Sequence, residues 1–535
     1  MPVWGRDLKS KKIGTYAVQA LSPRPSRITA ILEEAKKWGD REFIVYGDRR
    51  ISFSEFLGSC TAVATQFRGR GVQAGKPALV LGANSPEWLA AFWGLAGCGA
   101  IVAQGNAWWS ADEIVEATEL LKPSVIVADK KRLGLIRADS RLSAISVVAI
   151  EEVAAWCDTS RQVMHEFPDG DEEDPAVLIF TSGTTGKPKA AVLSHRAGIS
   201  ALHTIYVARG KTPDCMSSSD PQMTLLCSNP LFHVGGFLLQ SQCLLSGHRL
   251  VLIEGRFDAA QVLGLIEREK VNIWSTVPTL LARALAHPDI ALRDLRSVKT
   301  FSAAGSMVDP DLIAAARKAF PEARAGGGTT YGMTESGGSA TLIGGEDYVS
   351  HPNSCGRALP GCELVIREPD AEGVGEILIR SPSAMSGYWR DPSNNIVDEE
   401  GWVHSGDLGR IDSDGYLYVV GRSKDIIIRG GENVSSSAVE NALMQHPDVE
   451  EVAVLGLPHR DLGEEVAAIV VVKSGFSGSA ATFSDHLTAR LGYFQIPTRW
   501  AIRSEPLPVN ASGKIMKAVL KKNWKDQAKL EHAGV

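Results

Sequence analysis

Cysteine and long apolar runs are both scarce in this chain of 535 residues. The eight cysteines are scattered, and no two have the Cys-x-x-Cys spacing of common zinc or dithiol motifs, so we expect reduced thiols that pack in the interior. The longest apolar stretch, residues 88–103, is interrupted by glycines and is shorter than the roughly 18 residues of a membrane-spanning helix, so it predicts a buried helix that runs into a strand. The charged N-terminus lacks the apolar core of a signal peptide, and the sequence therefore predicts a cytoplasmic protein without a transmembrane segment.

A strong net charge is absent as well. Lysine and arginine number 56 against 62 aspartates and glutamates, which gives a formal net charge of −6. Such a balance provides no broad basic surface for nucleic acid or for an anionic membrane, so an anionic ligand must be bound by local groups. With 44% hydrophobic and 22% charged residues the chain has the composition of a globular protein, and its length favours more than one domain.

Short apolar segments alternate with helical patterns over most of residues 75–345. This arrangement is typical of a largely parallel sheet that is buried on both faces. From about 355 to 423, alternating strands and Asp-Gly turns predict an antiparallel β module, and a compact unit with helices and strands follows residue 425. The sequence thus predicts an α/β fold with a large N-terminal domain of mixed parallel sheets flanked by helices, a small β module, and a small α+β C-terminal domain.

Three local signals predict individual elements. Residues 42–53 have the pattern of a β-hairpin. Ser437 and Glu440 have the spacing of a capping box, which predicts the start of a helix. The segment 475–484, rich in glycine, serine and alanine, is expected to be a surface loop.

The strongest local signal for function is the segment 178–189, LIFTSGTTGKPK. An apolar strand leads into hydroxyl side chains, glycines and lysines, which suit a polyphosphate because main-chain N–H groups, hydroxyls and cations all bind its oxygens. The residues of this loop are Thr181, Ser182, Gly183, Thr184, Thr185, Gly186, Lys187 and Lys189. The spacing of Gly183 and Gly186, and the strand-like run after Pro188, differ from the Walker A loop of P-loop ATPases and kinases. A glycine-rich surface turn is the alternative interpretation.

Four further segments follow this loop in an order that resembles the adenylate-forming superfamily of acyl-CoA synthetases, amino-acid adenylation domains and firefly-type luciferases. They are TYGMTES (330–336), SGDLGRID (405–412), GYLYVVGRSKDIIIRGGENV (415–434) and PVNASGKIMK (508–517). The resemblance implies an ATP-dependent acyl-CoA ligase that uses Mg²⁺ and coenzyme A. A carboxylate would attack the α-phosphorus of ATP, pyrophosphate would leave, and the acyl group of the adenylate would pass to the thiol.

The same resemblance implies a large domain over residues 1–423 and a small, mobile C-terminal domain over 424–535, with the hinge at Lys424. Family members swing the small domain between the two half-reactions, and a single residue can absorb such a change. Lys514 is the expected catalytic cation, because an ammonium placed between the carboxylate and the α-phosphate neutralises charge on both. The path of the coenzyme A thiol is expected to run along Gly430, Gly431 and Glu432.

The nucleotide site follows from the same motifs. The resemblance implies that the loop of residues 181–189 holds the β- and γ-phosphates, that Thr334 binds the α-phosphate, and that Glu335 binds Mg²⁺ as a hard oxygen ligand. Tyr331 is expected to stack on adenine, with Thr330 and Gly332 beside it. Asp407 is expected to accept hydrogen bonds from the ribose hydroxyls, and Arg422 to support ribose and phosphate. Thr330 departs from the family pattern, in which many members have glycine at this position.

The segment 230–236, PLFHVGG, resembles the start of the family's acyl pocket. His233 occupies the position at which relatives that activate amino acids have an aspartate, so the counter-charge for a substrate ammonium group is missing. A hydrogen-bonded core histidine is the alternative interpretation of His233. Small residues in the other pocket segments favour an apolar acid that is long or bulky: a medium- or long-chain fatty acid, an aryl acid or a steroid-type acid. The expected pocket residues are His233, Val234, Gly235, Thr279, Ala303, Ala304, Gly305, Gly326, Gly327 and Gly328.

Two alternatives remain open at this level. One is an enzyme that loads its adenylate onto a carrier protein supplied in trans, and the other is a non-catalytic nucleotide-binding homologue. The second alternative predicts loss of the charged residues of the motifs, yet Lys189, Glu335, Asp407, Arg422 and Lys514 are all present. The oligomeric state stays open, and a homodimer is compatible with the sequence.

Overall fold

The computed structural model describes residues 3–157, 170–182, 188–305, 308, 310–323, 327–392, 395–430, 432–510 and 513–524. The chain forms two compact units. The first unit comprises Met1–Leu364 and Ile379–His404, and the second comprises Val365–Leu378 and Ser405–Val535. The sequence predicted a boundary between residues 423 and 424, at which a mobile C-terminal domain begins. The two compact units do not test where the chain moves, so this boundary and the hinge at Lys424 stay predictions.

Strands and helices occur in most of the described segments. The strands are β1 (Asp7–Ile13), β2 (Tyr16–Ser22), β3 (Glu42–Tyr46), β4 (Arg49–Ser52), β5 (Pro77–Leu81), β6 (Ile101–Gly105), β7 (Ile126–Ala128), β8 (Val147–Ala149), β9 (Pro175–Ser182), β10 (Pro188–Ser194), β11 (Thr224–Cys227), β12 (Arg249–Leu252), β13 (Ile273–Thr276), β14 (Thr300–Ala303), β15 (Gly328–Thr329), β16 (Gly332–Met333), β17 (Gly338–Ser339), β18 (Thr341–Gly344), β19 (Arg357–Ala358), β20 (Glu363–Arg367), β21 (Gly375–Arg380), β22 (Val403–Ile411), β23 (Leu417–Arg422), β24 (Ile426–Arg429), β25 (Glu432–Ser435), β26 (Val449–His459), β27 (Gly463–Val472) and β28 (Arg499–Arg503). The helices are α1 (Ala30–Ala35), α2 (Phe53–Gly69), α3 (Pro86–Gly97), α4 (Ala111–Leu121), α5 (Lys130–Ala138), α6 (Ile150–Cys157), α7 (His195–Ala208), α8 (Val234–Ser246), α9 (Ala259–Arg268), α10 (Pro278–Ala286), α11 (Pro310–Ala319), α12 (Gly345–Ser350), α13 (Ser436–Met444), α14 (Ala480–Thr488) and α15 (Lys517–Lys522).

Two mixed sheets form the core of the first unit. One has the strand order β10-β9-β6-β5-β7-β8, and the other has the order β19-β18-β15-β14-β13-β11-β12-β3-β4. Their central strands are parallel and their edges carry antiparallel strands such as β10 and β4. Strand β5 is buried along its whole length, as expected for a parallel strand that is covered on both faces. The predicted fold class is confirmed.

Local sequence patterns predicted several strands and helices of this unit correctly. Residues 42–53 contain the hairpin of β3 and β4, and the apolar stretch of 88–103 contains most of helix α3 and the start of β6. Helix α2 begins after Ser52, whose side chain accepts a hydrogen bond from the Glu55 N–H while the Glu55 carboxylate accepts one from the Ser52 N–H. This reciprocal capping satisfies donors that the first turn of a helix leaves unpaired.

The second unit contains a C-terminal α+β domain. Its sheet has the order β25-β24-β27-β26, and β28 pairs in parallel with β27. Apolar side chains of this sheet, including Val454 and Val466, pack with Phe483 of α14 and with Trp500 in one core. The predicted β module corresponds to a four-stranded sheet in the order β20-β21-β22-β23, most of whose residues also belong to the second unit.

Two local predictions were wrong in detail. Helix α13 is capped by Ser435, whose side chain accepts a hydrogen bond from the Ala438 N–H, and not by Ser437. Glu440 takes no part in a capping box because its carboxylate instead accepts a hydrogen bond from the Val454 N–H at 2.7 Å and pairs with Lys517. The segment 475–484 is a loop only in its first half, since α14 begins at Ala480.

Within the described part of the chain, no helix combines the length and the apolar character that crossing a bilayer requires.

Candidate active site

The predicted phosphate loop joins two paired strands of the first unit. Strands β9 and β10 are antiparallel neighbours, with Thr181 opposite Lys189 and Ser182 opposite Pro188. The predicted strand after Pro188 is therefore confirmed, and the loop belongs to a hairpin rather than to the strand-to-helix turn of a Walker A motif. The loop residues Gly183, Thr184, Thr185, Gly186 and Lys187 lie outside the described residues.

Glu335 lies in a tight turn that joins β16 to β17. Residues Thr334–Ser336 form a single 3₁₀ turn, and the Ser336 hydroxyl closes it by accepting a hydrogen bond from the Met333 N–H at 3.1 Å. Gly332 is required here, because a Cβ at this position would lie 1.9 Å from the carbonyl oxygen of Gly338. The turn holds Glu335 with only 7% of its surface exposed.

Tyr388 connects the phosphate-loop strands with this turn. Its hydroxyl donates a hydrogen bond to Glu335 Oε1 at 2.8 Å, and the Thr181 side chain lies next to this hydroxyl. The Lys189 ammonium lies 5.4 Å from the centroid of the Tyr388 ring. Burial, followed by the negative charge of Glu335, raises the pKa of Tyr388, so the phenol stays protonated and able to donate at neutral pH. Sequence reasoning missed Tyr388.

Thr330 and Tyr331 are fixed by the neighbouring strand β18. The Thr330 hydroxyl donates to the main-chain oxygen of Thr341, and the Tyr331 N–H donates to the Thr341 hydroxyl at 3.1 Å. Tyr331 is buried, with 8% of its surface exposed. The hydrogen bond from Thr330 gives a structural reason for a threonine where many relatives have glycine. The contacts of both residues with ATP stay predictions.

The expected acyl-pocket residues lie at the carboxyl ends of neighbouring parallel strands. His233 precedes helix α8 in the segment after β11, Thr279 lies in the first turn of α10 after β13, and Ala303 ends β14. These three strands are adjacent in the nine-stranded sheet, and this edge of a parallel sheet is where α/β proteins bind ligands. The Ala304 N–H donates to the main-chain oxygen of Thr276 at 3.1 Å, which joins two of the segments directly.

The start of helix α8 faces open space. Among the described residues, no heavy atom lies within 4 Å of a Cβ added at Gly235, although a Cβ at the next residue, Gly236, would collide with the main chain. The ring of His233 lies 4.6 Å from that of Phe232, which in turn meets Trp108 edge to face at 5.6 Å. Phe232 lies in the predicted pocket segment 230–236, but its contact with Trp108 was not predicted because the two residues are far apart in the chain.

Three glycines among the described residues also belong to this group. Gly327 has a φ of +118°, and a Cβ on Gly328 would lie 2.0 Å from the main-chain oxygen of Ile343, so both positions require glycine for reasons of backbone geometry. Gly305 has a φ of +93°. Gly326 lies outside the described residues.

Asp407 and Arg422 form an ion pair in the second unit. They face each other on strands β22 and β23, and the Arg422 Nε lies 3.1 Å from Asp407 Oδ1. Asp407 is buried, whereas the Arg422 side chain is 62% exposed. The ion pair forms because the register of β22 and β23 places the two residues opposite each other. Lys424 lies in the short turn after β23.

Lys514 lies in a closed loop of the second unit. The Asn510 N–H donates to the Lys514 carbonyl at 2.8 Å, and the Lys514 N–H donates to the Asn510 side chain at 3.0 Å. Three residues further on, the Lys517 ammonium lies 2.7 Å from Glu440 Oε1 and 3.1 Å from the Ser436 hydroxyl, so the end of the loop is attached to helix α13.

The expected thiol-path residues belong to the second unit as well. Gly430 has a φ of +60°, and its N–H donates to the Leu462 carbonyl at 2.8 Å. Glu432 begins β25 and is exposed. Gly431 lies outside the described residues. Their role toward coenzyme A stays a prediction.

The residues around Glu335 fit a magnesium ion that arrives with a nucleotide. No three His, Cys, Asp or Glu side chains come together as a metal-binding group within the described ranges. Mg²⁺ in nucleotide enzymes is usually bound by one or two carboxylates together with substrate phosphates, so a single buried carboxylate close to the strands that flank the predicted phosphate loop suits it. Thr181, Lys189 and Glu335 are the predicted site residues that the first unit brings together, through Tyr388.

Comparison with known proteins identifies the family of the chain. The profile of the "AMP-binding enzyme" family matches residues 31–389, and that of the "AMP-binding enzyme C-terminal domain" matches residues 438–514. The chain is 31% identical to the indoleacetate–CoA ligase of Aromatoleum aromaticum over an alignment that covers 90% of this chain and 97% of that protein.

Two solved structures show the same fold. The ATP-bound RpMatB-BxBclM chimera B3 is 26% identical, with a TM-score of 0.83 and coverage of 94% of this chain and 99% of its own. The anthranilate CoA ligase AuaEII in complex with anthranoyl-AMP is also 26% identical, with a TM-score of 0.82 and coverage of 95% and 98%.

The fold and the site thus define an adenylate-forming enzyme of the acid–thiol ligase class, which uses ATP, Mg²⁺ and coenzyme A. The family matches extend over more than half of the chain, and the chain belongs to the AMP-binding enzyme family. The predicted superfamily and enzyme class are confirmed.

Proposed function

We propose that this enzyme joins a bulky, largely apolar acid with an aromatic ring to coenzyme A through an acyl-adenylate. The observations that support the acid class are the ring contacts that link Trp108, Phe232 and His233, and the exposed Gly235 at the start of helix α8, two residues after His233, which leaves space in front of it. Aromatic walls favour ring substrates because edge-to-face and offset contacts add to apolar burial. Two relatives support the proposal, since one is named for indoleacetate and another for anthranilate.

The first half-reaction needs positioning rather than a general base. A carboxylic acid is already ionised at neutral pH, so its oxygen can attack the α-phosphorus directly while the bond to pyrophosphate breaks. The barrier arises from the approach of two anions, and placed cations and hydrogen-bond donors lower it. In this proposal Lys189 and the loop of 181–189 bind the β- and γ-phosphates, Thr334 binds the α-phosphate, and Lys514 neutralises the attacking oxygen and the α-phosphate.

Glu335 binds the metal in this scheme. When bound, Mg²⁺ neutralises charge on the phosphate oxygens and orients them. Asp407 accepts hydrogen bonds from the ribose and Arg422 holds Asp407 in place, with Tyr331 against the adenine. The predicted pocket, from His233 to Gly328, surrounds the organic part of the acid.

In the second half-reaction the coenzyme A sulfur attacks the acyl carbon of the adenylate. A carbon–sulfur bond forms, the bond from the acyl carbon to the AMP oxygen breaks, and the thiol proton is released to solvent. The turn at Lys424 is the proposed hinge that brings Gly430, Gly431 and Glu432 to the thiol path. AMP and the acyl-CoA thioester are the products.

A substrate panel tests the acid class. Pyrophosphate release and thioester formation are measured with aryl acids, medium- and long-chain fatty acids, and steroid-side-chain acids, each with ATP, Mg²⁺ and coenzyme A. We expect the highest kcat/KM with aryl acids. A preference for fatty acids contradicts the proposed class, and adenylate without thioester indicates transfer to a carrier protein instead.

A paired substitution tests the pocket itself. Gly235→Trp extends an indole into the open space at α8 and is expected to lower kcat/KM for ring acids much more than for acetate. Gly134→Trp is the matched control, because Gly134 is also helical and has no heavy atom within 4 Å of an added Cβ among the described residues. Equal activity of both variants toward ring acids contradicts the pocket assignment.

A further inference from the structure

Tyr388 is anchored from both sides of the candidate site. It forms an isolated antiparallel bridge with Ala191 of β10, and on either side of it the Val192 N–H donates to the Gly387 carbonyl and the Trp389 N–H to the Ala190 carbonyl. The Met385 N–H donates to the main-chain oxygen of Glu335 at 2.9 Å. The segment of residues 385–389 therefore connects the second strand of the phosphate hairpin directly with the Glu335 turn.

The side chain of Tyr388 also contacts both the Glu335 turn and the strands of the phosphate hairpin. Its hydroxyl donates to Glu335 Oε1 next to the Thr181 side chain, and its ring lies beneath the Lys189 ammonium. A hydrogen bond to a carboxylate is charge-assisted and directional, so it limits the rotation of the Glu335 side chain. The bond uses one acceptor site of Oε1 and leaves the other acceptor sites of the carboxylate for a metal ion, which Glu335 would then hold in a fixed orientation.

We propose that Tyr388 is a positioning residue that orients the Glu335 carboxylate for the magnesium ion of Mg·ATP and keeps it in register with Thr181 and Lys189. This inference rests on the proposed role of Glu335 as the metal ligand. Groups that orient a metal-binding side chain commonly change metal affinity about 10- to 100-fold when they are removed. A tyrosine with a purely structural role changes stability without this effect on the metal.

The test measures how strongly Mg²⁺ and nucleotide binding are coupled. The dissociation constant of α,β-methylene-ATP is determined by calorimetry on the full chain with saturating Mg²⁺ and with EDTA, and the ratio of the two values reports the coupling. Tyr388→Phe retains the ring, the main-chain bridge and the contact with Lys189 but removes the hydroxyl. We expect it to reduce the coupling ratio about tenfold or more, with a much smaller change in the EDTA value.

Two further variants complete the experiment. Tyr206→Phe is the matched control, because the Tyr206 hydroxyl is likewise buried and hydrogen-bonded, to the Gln242 carbonyl at 3.0 Å, but belongs to the interface of α7 and α8. It should change the thermal midpoint without changing the coupling ratio. Glu335→Gln should reduce the ratio at least as much as Tyr388→Phe.

The outcomes separate the two levels of the proposal. If Glu335→Gln lowers the ratio and Tyr388→Phe leaves it within twofold of wild type, the role of Tyr388 is wrong and that of Glu335 stands. If neither variant changes the ratio, the metal assignment of Glu335 is wrong and the role of Tyr388 is overturned with it. Thioester formation from aryl acids is measured separately, so neither result depends on the proposed substrate.

Discussion

Gly332→Ala provides a sharp test of the geometry around Glu335. The alanine Cβ would lie 1.9 Å from the Gly338 carbonyl oxygen, whereas real Cβ contacts essentially never fall below 3.0 Å. Strands β16 and β17 must therefore separate by about 1 Å, and the turn that carries Thr334 and Glu335 moves with them. Since the opposing atom belongs to the main chain, no side-chain rotation can relieve the overlap.

The expected magnitude follows from this displacement. A shift of about 1 Å in a catalytic group can lower a rate about 100-fold, and overpacking of this kind costs about 1–3 kcal/mol of stability. We expect ATP–pyrophosphate exchange by Gly332→Ala to fall about 100-fold, with a moderate decrease in the midpoint of thermal unfolding.

Gly344→Ala is the matched control. Among the described residues, its added Cβ would approach only the Gly327 carbonyl oxygen, at 3.8 Å, which is an ordinary contact. Its exchange rate should stay close to that of wild type. Exchange by Gly332→Ala within threefold of wild type, in a folded protein, would refute the conclusion that this hairpin holds in place the turn that we propose to bind the metal.

Three other substitutions test the second unit. Lys514→Ala is expected to abolish adenylation but to retain thioester formation from supplied acyl-adenylate; equal loss of both steps contradicts its assigned role. Lys424→Pro should retain pyrophosphate exchange and lose thioester formation, and unchanged overall turnover contradicts the hinge. Burial raises the pKa of Glu440 more than Lys517 lowers it, so the wild-type chain should lose stability relative to Glu440→Gln as the pH rises from 4.5 through the folded-state pKa. Denaturant midpoints of the two proteins measured across this range check the sign, and a relative midpoint that rises with pH contradicts it.

Patterns that involve neighbouring residues predicted the fold well. Apolar runs in the sequence predicted the buried parallel strands, and the run after Pro188 predicted β10. These predictions succeeded because a strand that is buried on both faces of a sheet has a continuous run of apolar residues. The capping prediction at Ser437 failed because several serines are adjacent, and β25 continues as far as Ser435. The Glu440 carboxylate instead accepts a hydrogen bond from the Val454 N–H and pairs with Lys517, and both partners are distant in sequence.

The site was predictable only as far as its motifs extend. Thr181, Lys189 and Glu335 belong to recognisable segments, and the first unit brings them together. Tyr388 carries no local signal, since its position depends on a long-range bridge to Ala191. The same reason applies to the contact between Trp108 and Phe232, which joins the segments that follow β6 and β11, two strands of different sheets.

Isotope transfer is the most direct test of the chemistry. An accepted acid labelled with ¹⁸O in its carboxylate is incubated with the enzyme, ATP, Mg²⁺ and coenzyme A, and the AMP and pyrophosphate are examined by mass spectrometry. If the carboxylate attacks the α-phosphorus, AMP acquires an ¹⁸O atom from the acid and pyrophosphate acquires none. Unlabelled AMP, or label in pyrophosphate, would contradict the acyl-adenylate route.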